Sequence, residues 1–522
     1  MAKSKSFMHG AAILLCANLL VKLIGAGFKI PLTYLLGEEG MGIFTISYTI
    51  YTWLFVVATA GFPVAISKMV AESTALDRKK ETGRILKISL TLLGVIGFAG
   101  TAILYFGADK FSNLATESSI ATYSIMAIAP AVLFVSVMSA FRGFFQGRQE
   151  MIPTASSEVI EALGKLLIGF GVAYMLIGNG VEKGAAGAVL GVSVGAGLAM
   201  VLLICIFIVK KPLKGAKEDK NETKSGSEIL KRLIIIVLPI TIGASVFSLT
   251  SLIDAMMINK RLIAAGFGDT AMSLWGSYSG YAIPIFNMPP TLVTSISISI
   301  VPAIAAAFVR KDAFEAQKIT NSALKITTLF ALPCAVGISI LSYPILELIY
   351  NNTNATETLA IIGIAVLFVS LVLVTNAVLQ AIGKVWIPVI NMAIGGILKV
   401  IINYFLVGNP LINIMGAPIG TTCCYVLILM LNLVAIAKIM GIKYEVSSLV
   451  VKPLLSVAAM ALAVMGVYSI FAESGRVLAA GVPIAAGAAV YLIMIVFTKA
   501  LSDDEILMLP KGEKLLKILK RG

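Results

Sequence analysis

Two short runs of residues place charge on one face of otherwise apolar segments. Asn18, Lys22, Gly25 and Lys29 are spaced so that they stack on a helix, as are Glu158, Glu161 and Lys165. An ionisable group at the centre of a bilayer costs about 2.5–3.5 kcal/mol on insertion scales and normally faces protein or a water-filled cavity. The first stripe therefore reads as a cavity lining. The alternative is that Lys29 reaches the outer interface while Lys22 neutralises a carboxylate. In the second stripe, Glu161 and Lys165 have the acid-first order of a helical ion pair. That pair either cancels two buried charges or serves as a proton site, a cation site or a gate, with Glu158 beside it.

Further candidates follow along the chain. Asp254 is a lone carboxylate on a segment bearing Thr241, Ser245, Ser248, Thr250 and Ser251. It suits Na⁺ or H⁺, and it equally suits pairing with Lys22 or Lys29. The next apolar segment carries Tyr278, Tyr281, Pro284, Asn287, Pro289, Pro290, Ser295, Ser297, Ser299 and Pro302. Prolines free backbone carbonyls, which a membrane tolerates only against protein or a wet cavity. Tyr48 and Tyr51, with Thr52, Gly61 and Pro63, form an earlier counterpart. Tyrosine hydroxyls in such places suit sugar or pyrophosphate contact, or simply anchor at the interface. The turn from Arg142 to Gln149 is matched by Asn376 to Lys384, and both read as hinges or gates.

Some chemistry is excluded. His9 is the one histidine, and the five cysteines (Cys16, Cys205, Cys334, Cys423, Cys424) lie in apolar stretches without metal-ligand or disulfide spacing. Neither His-based zinc sites nor catalytic triads are expected, and no cofactor is implied. The glycines near Arg142 are no phosphate loop, because GxxxxGK[ST] is missing.

The elements that must position these residues are membrane helices. Of 522 residues 58% are hydrophobic and 13% charged, against about 25% charged in soluble domains. Fourteen apolar runs are each long enough to cross a bilayer. They lie near 9–35, 42–66, 86–106, 118–141, 154–178, 185–209, 233–258, 274–307, 323–350, 358–383, 386–408, 417–437, 446–471 and 477–498. The runs at 274–307 and 323–350 are long for one crossing and are expected to kink or tilt. The first run is too long for a cleaved signal, and Lys22 interrupts it, so it reads as a retained helix.

Charge bias tests the count. With fourteen crossings, Lys110, Lys183, Lys260, Arg261 and Arg476 fall on one side, and Lys22, Lys29, Lys165 and Lys399 fall inside spans. The rest of the 41 Lys and Arg fall on the side of both termini, which the positive-inside rule makes cytoplasmic. The net charge of +14 is thereby assigned to loops facing anionic lipid headgroups rather than to nucleic acid.

The chain also repeats itself. AVLFVS occurs at 131–136 and 365–370, Ser47-Tyr48-x-x-Tyr51 recurs as Ser277-Tyr278-x-x-Tyr281, and Leu23-Ile24-Gly25-Ala26 recurs as Leu252-Ile253-Asp254-Ala255. The offsets are 234, 230 and 229 residues, in collinear order. Such duplication marks transporters that hold substrate between repeats. The expected architecture is all-α and membrane-integral: a six-helix lobe at 1–209, a basic cytoplasmic linker at 210–232 and a second six-helix lobe at 233–440. Two further helices and a basic tail follow at 441–522.

RGFFQG at 142–147 with PTASSEVIEALGK at 153–165, the LGxxGxG turn at 36–42, LID at 252–254 and SIVPAI at 299–304 carry a family resemblance. The chain resembles the polysaccharide flippases of the multidrug/oligosaccharidyl-lipid/polysaccharide exporter (MOP, MATE-like) superfamily. Within it the chain is most similar to the stage V sporulation protein B group and the related lipid II flippases. The resemblance implies a V-shaped, two-lobed carrier that moves an undecaprenyl-pyrophosphate-linked oligosaccharide outward by alternating access, for cell wall, spore cortex or surface polysaccharide. It implies that Lys22 stands near a pyrophosphate-holding basic position of the first helix, with Lys29 near the place of an Arg-Asp pair. The eighth segment lacks the arginine of MurJ-type proteins, and lysine offers a point charge rather than a fork. In those proteins the last two helices form a lipid groove. Partners are then the lipid-linked sugar and membrane lipids, with the chain acting as a monomer. H⁺, Na⁺ or the membrane potential is the driving candidate.

Two rivals stand beside this reading. A cation-coupled multidrug or metabolite exporter of the same superfamily generally has twelve helices. A polyprenol-dependent membrane enzyme needs catalytic groups on outer loops, which here are short and nearly bare.

Overall fold

The computed structural model describes residues 2–214, 224–310, 312–441 and 447–498. Among them there is no strand. Expectations for the linker centre (215–223), the tail (499–522) and the side chains of His9, Ser295, Ser299 and Pro302 lie outside the described residues.

Helix α1 runs Ala2–Thr59, followed by α2 Phe62–Ala75, α3 Lys79–Thr116, α4 Thr122–Gly147 and α5 Met151–Gly164. A π-turn at Lys165–Gly169 leads into α6 Phe170–Leu176, and α7 spans Val181–Lys210. Then come α8 Gly226–Ala264, α9 Ala271–Gly276, a second π-turn at Ser277–Ala282, and α10 Ile283–Val309. The order continues with α11 Ala313–Ile340, α12 Ser342–Tyr350, α13 Thr356–Ala381, α14 Trp386–Val407 and α15 Gly416–Met440. A third π-turn, Ser447–Val451, precedes α16 Lys452–Phe471 and α17 Arg476–Phe497. Helix is the available answer in hydrocarbon, because it satisfies every backbone N–H and C=O within one segment.

Among the described residues, 12 segments are long and apolar enough to span a membrane. One of them, Cys16–Ala75, has 60 residues and breaks at Gly37, whose φ of 62° and ψ of −167° leave the helical region. It therefore holds the first two expected crossings. With α10 added, a count of fourteen is compatible with the helices present. The two overlong runs interrupt themselves, one through the π-turn at Ser277–Ala282 and the other between Ile340 and Ser342.

The chain forms two compact units, Met1–Gly276 and Ser277–Gly522. In the first, Phe144 and Phe145 of α4 are fully buried with Leu32, Met41, Ile43 and Ile46 of α1. Its close approaches need glycine. A Cβ at Gly61 would stand 2.7 Å from both the Val237 carbonyl and the Thr241 hydroxyl of α8. In the second unit, Val293 and Ile304 of α10 pack with Leu324 of α11, Val378 of α13 and Ile436 of α15. Leu332 and Leu341 pack with Val457, Met460 and Val464 of α16 and Tyr491 of α17.

Packing and duplication divide the chain at different places, since α8 and α9 follow the expected linker yet belong to the first compact unit. Helix α8 also begins inside the stretch expected as linker. The Ser225 hydroxyl accepts from the Glu228 N–H and the Glu228 carboxylate accepts from the Ser225 N–H, a capping box that starts the helix at Gly226, ahead of the span at 233–258. Charges fasten this end: Arg232 pairs with Glu72 at 2.6 Å, Lys224 with Glu81 at 3.9 Å, and Arg84 donates to the Lys224 carbonyl at 2.7 Å.

Candidate functional site

The first unit encloses a cavity of about 320 Å³ between α1 and the α5 segment. Gly25, Tyr48, Tyr51, Glu158, Glu161 and Lys165 are among the residues that line it. Helix α5 carries the acids inward because the sequence steps of three and four keep Glu158 and Glu161 on one face. Glycines let the neighbouring helix close behind them: a Cβ at Gly195 of α7 would stand 2.6 Å from the Glu161 carbonyl.

The ion pair differs from the one that local spacing suggested. Glu161 pairs with Arg142 of α4, whose Nη2 donates to the carboxylate at 2.9 Å, while Arg142 Nε donates to Ser157 Oγ at 2.9 Å. Arg142 holds the Glu161 carboxylate although Lys165, which opens the π-turn, still donates its backbone N–H to the Glu161 carbonyl in helical register. The Lys165 ammonium instead stands over the rings of Tyr48, at 4.4 Å from the centroid, and Phe28, at 5.3 Å, both attractive placements for a cation. Phe44, Tyr48, Tyr51 and Phe55 continue as a ring ladder along α1. Glu158 keeps one carboxylate oxygen shut away from solvent with no hydrogen-bond partner among the described residues. The charges of Arg142 and Glu161 act on it.

Five of the expected residues thus meet at one cavity: Tyr48, Tyr51, Glu158, Glu161 and Lys165, with Arg142 gripping Glu161. Lys29 is half-buried and lies within the electrostatic reach of Lys165. Asn18 and Lys22 are exposed on α1, next to the cavity-lining Val21 and Gly25. Asp254 is buried on α8 and is not among the lining residues of this cavity. Tyr278 and Tyr281 belong to the other unit, buried in its π-turn, where Tyr281 meets the Tyr350 ring edge-on at 4.9 Å. Asn287, in the same unit, is exposed.

At the membrane edge, Glu150 accepts from Arg148 Nε at 3.1 Å and from the Lys210 ammonium. Burial pushes its carboxyl up, but these two cations outweigh burial and hold it below the ordinary carboxylate range.

The second unit has a cavity of its own, about 680 Å³, between α11 and the closing helices α16 and α17. Leu329, Pro333, Cys334, Met460, Val464 and Tyr491 are among its walls. The Tyr491 hydroxyl donates to the Leu329 carbonyl at 2.7 Å, fixing α17 to α11. Sequence spacing gave no sign of this contact, because its partners lie 162 residues apart.

A family model described as "Polysaccharide biosynthesis protein" matches residues 7–308. The stage V sporulation protein B of Bacillus subtilis (strain 168) is 26% identical over 512 residues, covering 98% of each chain. The lipid II flippase MurJ of the same organism is 26% identical over 466 residues, covering 85% of each. Among solved structures, the lipid II flippase MurJ in an inward closed conformation matches with a TM-score of 0.71 at 16% identity, covering 94% of this chain and 99% of that one. An inward-facing MATE family transporter of the MOP superfamily matches with a TM-score of 0.68 at 15% identity, covering 83% and 98%. These two likenesses speak for the fold alone.

Proposed function

The chain belongs to the polysaccharide biosynthesis protein family, with the MOP-superfamily fold, and on that premise we propose that it flips a lipid-linked sugar precursor across the cytoplasmic membrane. The substrate is an undecaprenyl-pyrophosphate-linked oligosaccharide of wall, cortex or surface polysaccharide synthesis. The observation that carries this reading is the first unit's cavity, where the Lys165 ammonium stands on aromatic faces beside Tyr48 and Tyr51. A fixed cation in a low-dielectric setting offsets a crossing diphosphate, and phenolic hydroxyls and ring faces suit a sugar. The name of one B. subtilis relative, the lipid II flippase MurJ, supports the same class of cargo. The apolar cavity beside α16 and α17 is a fitting place for hydrocarbon, and that extra helix pair speaks against a twelve-helix drug exporter.

In this reading the chain works as a monomer, with both termini cytoplasmic and no bound cofactor. The reading is tested by depleting the protein and identifying which lipid-linked sugar builds up on the cytoplasmic face. Restoring flow with the wild-type chain but not with Lys165→Ala is the expected outcome. Unchanged precursor pools, together with lost efflux of a cationic dye, would instead establish the exporter.

A further inference from the structure

The charged cluster of the first unit has a counterpart 234 residues later, and the difference between the two assigns a role to Glu158. At that offset Arg142 corresponds to Asn376, Ser157 to Asn391, Glu158 to Met392 and Glu161 to Gly395. The helices keep the same register: α3 and α4, at Lys79–Thr116 and Thr122–Gly147, correspond to Ala313–Tyr350 and Thr356–Ala381. In the second unit neutral groups close the position. Asn391 donates to Asn432 at 2.8 Å, and Asn432 donates to Thr375 at 3.0 Å and to Asn376 at 2.8 Å. The Asn376 amide faces the Met392 sulfur at 3.7 Å.

One helix arrangement therefore closes twice, once with the Arg142–Glu161 ion pair and once with a neutral amide network, while Lys399 keeps the positive charge at the offset of Lys165. Packing does not demand the ion pair or Glu158, and burying such groups in a membrane is costly. Within the first cluster Arg142 is committed to Glu161 and Ser157. Glu158 is left bordering the cavity with a solvent-excluded oxygen that no donor reaches among the described residues. A buried ionised carboxylate without a donor is penalised heavily. A single proton removes the charge and needs one oxygen. A metal cation needs several ligands, and among the described residues no three His, Cys, Asp or Glu side chains converge.

We propose that Glu158 is a proton-exchange site of the first unit's cavity, without an equivalent in the second. One O–H bond forms on the carboxylate as a cavity water or hydronium ion gives up its proton, and the same bond breaks on release. The groups facing it are Arg142 from α4, Glu161 and Lys165 on its own segment, and Tyr48 and Tyr51 from α1, with Lys29 beyond Lys165. The proposal rests on this geometry and not on the identity of the transported lipid.

The test accordingly uses no substrate. The full chain in lipid nanodiscs is titrated between about pH 4 and about pH 9, a range that brackets the unperturbed Glu value of about 4.3, while infrared difference spectra are recorded. A carbonyl stretch of a protonated carboxylic acid that comes and goes with pH is expected. It should be lost in Glu158→Gln and kept in Asp254→Asn. Should Glu158→Gln fail to fold, Glu158→Met, which copies the residue at Met392, should show the same loss. A titrating band that survives both Glu158 variants, or the absence of any such band in the wild type, overturns the assignment. A band abolished by Na⁺ but not by K⁺ at constant pH would make the site a sodium site and overturn it as well.

Discussion

Removing Arg142 should destabilise the first unit far more than removing Arg142 and its partner together. Arg142 makes two hydrogen bonds, each 2.9 Å, to Glu161 and to Ser157. Its side chain is 13% exposed and that of Glu161 is 24% exposed. Breaking a fully buried pair from one side costs about 3–5 kcal/mol, and a hydrogen bond to a charged group contributes about 1.5–3 kcal/mol. Discounted for the partial exposure of Glu161, Arg142→Asn should cost about 2–3 kcal/mol. Arg142→Asn combined with Glu161→Ala moves the site toward the neutral arrangement of the second unit and should lie within about 1 kcal/mol of wild type. Reversible unfolding in mixed detergent micelles would supply the four corners of the double-mutant cycle. A coupling energy below about 0.5 kcal/mol would refute both the pairing and the claim that this helix arrangement tolerates neutrality.

Four other outcomes are expected. Lys22 is exposed on α1, so Lys22→Ala should leave membrane abundance near normal while lipid-linked precursor accumulates, and Lys22→Arg should keep partial activity because charge survives though geometry changes; a well-expressed Lys22→Ala chain with full transport would remove it from the site. Asp109→Cys and Asn352→Cys should react with an impermeant thiol reagent on intact cells and Lys217→Cys should not, so labelling at 217 would reverse the orientation. Gln149 holds a φ of 60° where the second repeat has Gly383 at 79°, so Gln149→Gly should raise stability by up to about 1 kcal/mol, and a loss of stability would show that the Gln149 side chain matters more than its backbone. Because the folded-state pKa of Glu150 is depressed, its stabilising effect is complete above the unfolded value near 4.3 and fades as pH falls through the lower folded value; Glu150→Gln should therefore flatten the acid side of the stability profile below about pH 4.

The sequence made the membrane helices legible because hydropathy and loop charge are properties of single segments. The stripe of Glu158, Glu161 and Lys165 was legible for the same reason: a helix converts spacing into direction. Arg142 as the partner of Glu161 was not, because it arrives from a helix 19 residues upstream and local spacing offered Lys165 instead. The placing of the Lys165 ammonium on the rings of Tyr48 and Phe28 left no local pattern, since both rings arrive from α1. Tyr48 and Tyr51 reached the expected cavity, whereas Tyr278 and Tyr281 are buried within their own unit. A repeated motif fixes helix register but not what packs over each face. The start of α8 at Gly226 was legible in principle, through Ser225 and Glu228, but the polar run around it masked the cap.

The fastening of α8 to the first unit has a consequence for how that seam opens. Among its charged contacts, Arg232 and Glu72 show 37% and 41% of their side-chain surfaces, and a pair so exposed contributes only about 0.2–1 kcal/mol, whereas the Glu81 carboxylate beside Lys224 is buried. On that exposed pair alone, the end of α8 would stand open for about a sixth to two fifths of the time. Fit closes the rest of the seam, and one close approach is where Gly61 lets the start of α2 meet Val237 and Thr241. A joint of that kind is indifferent to ionic strength and intolerant of volume: one added methyl group at position 61 acts as a wedge, and no amount of salt does the same.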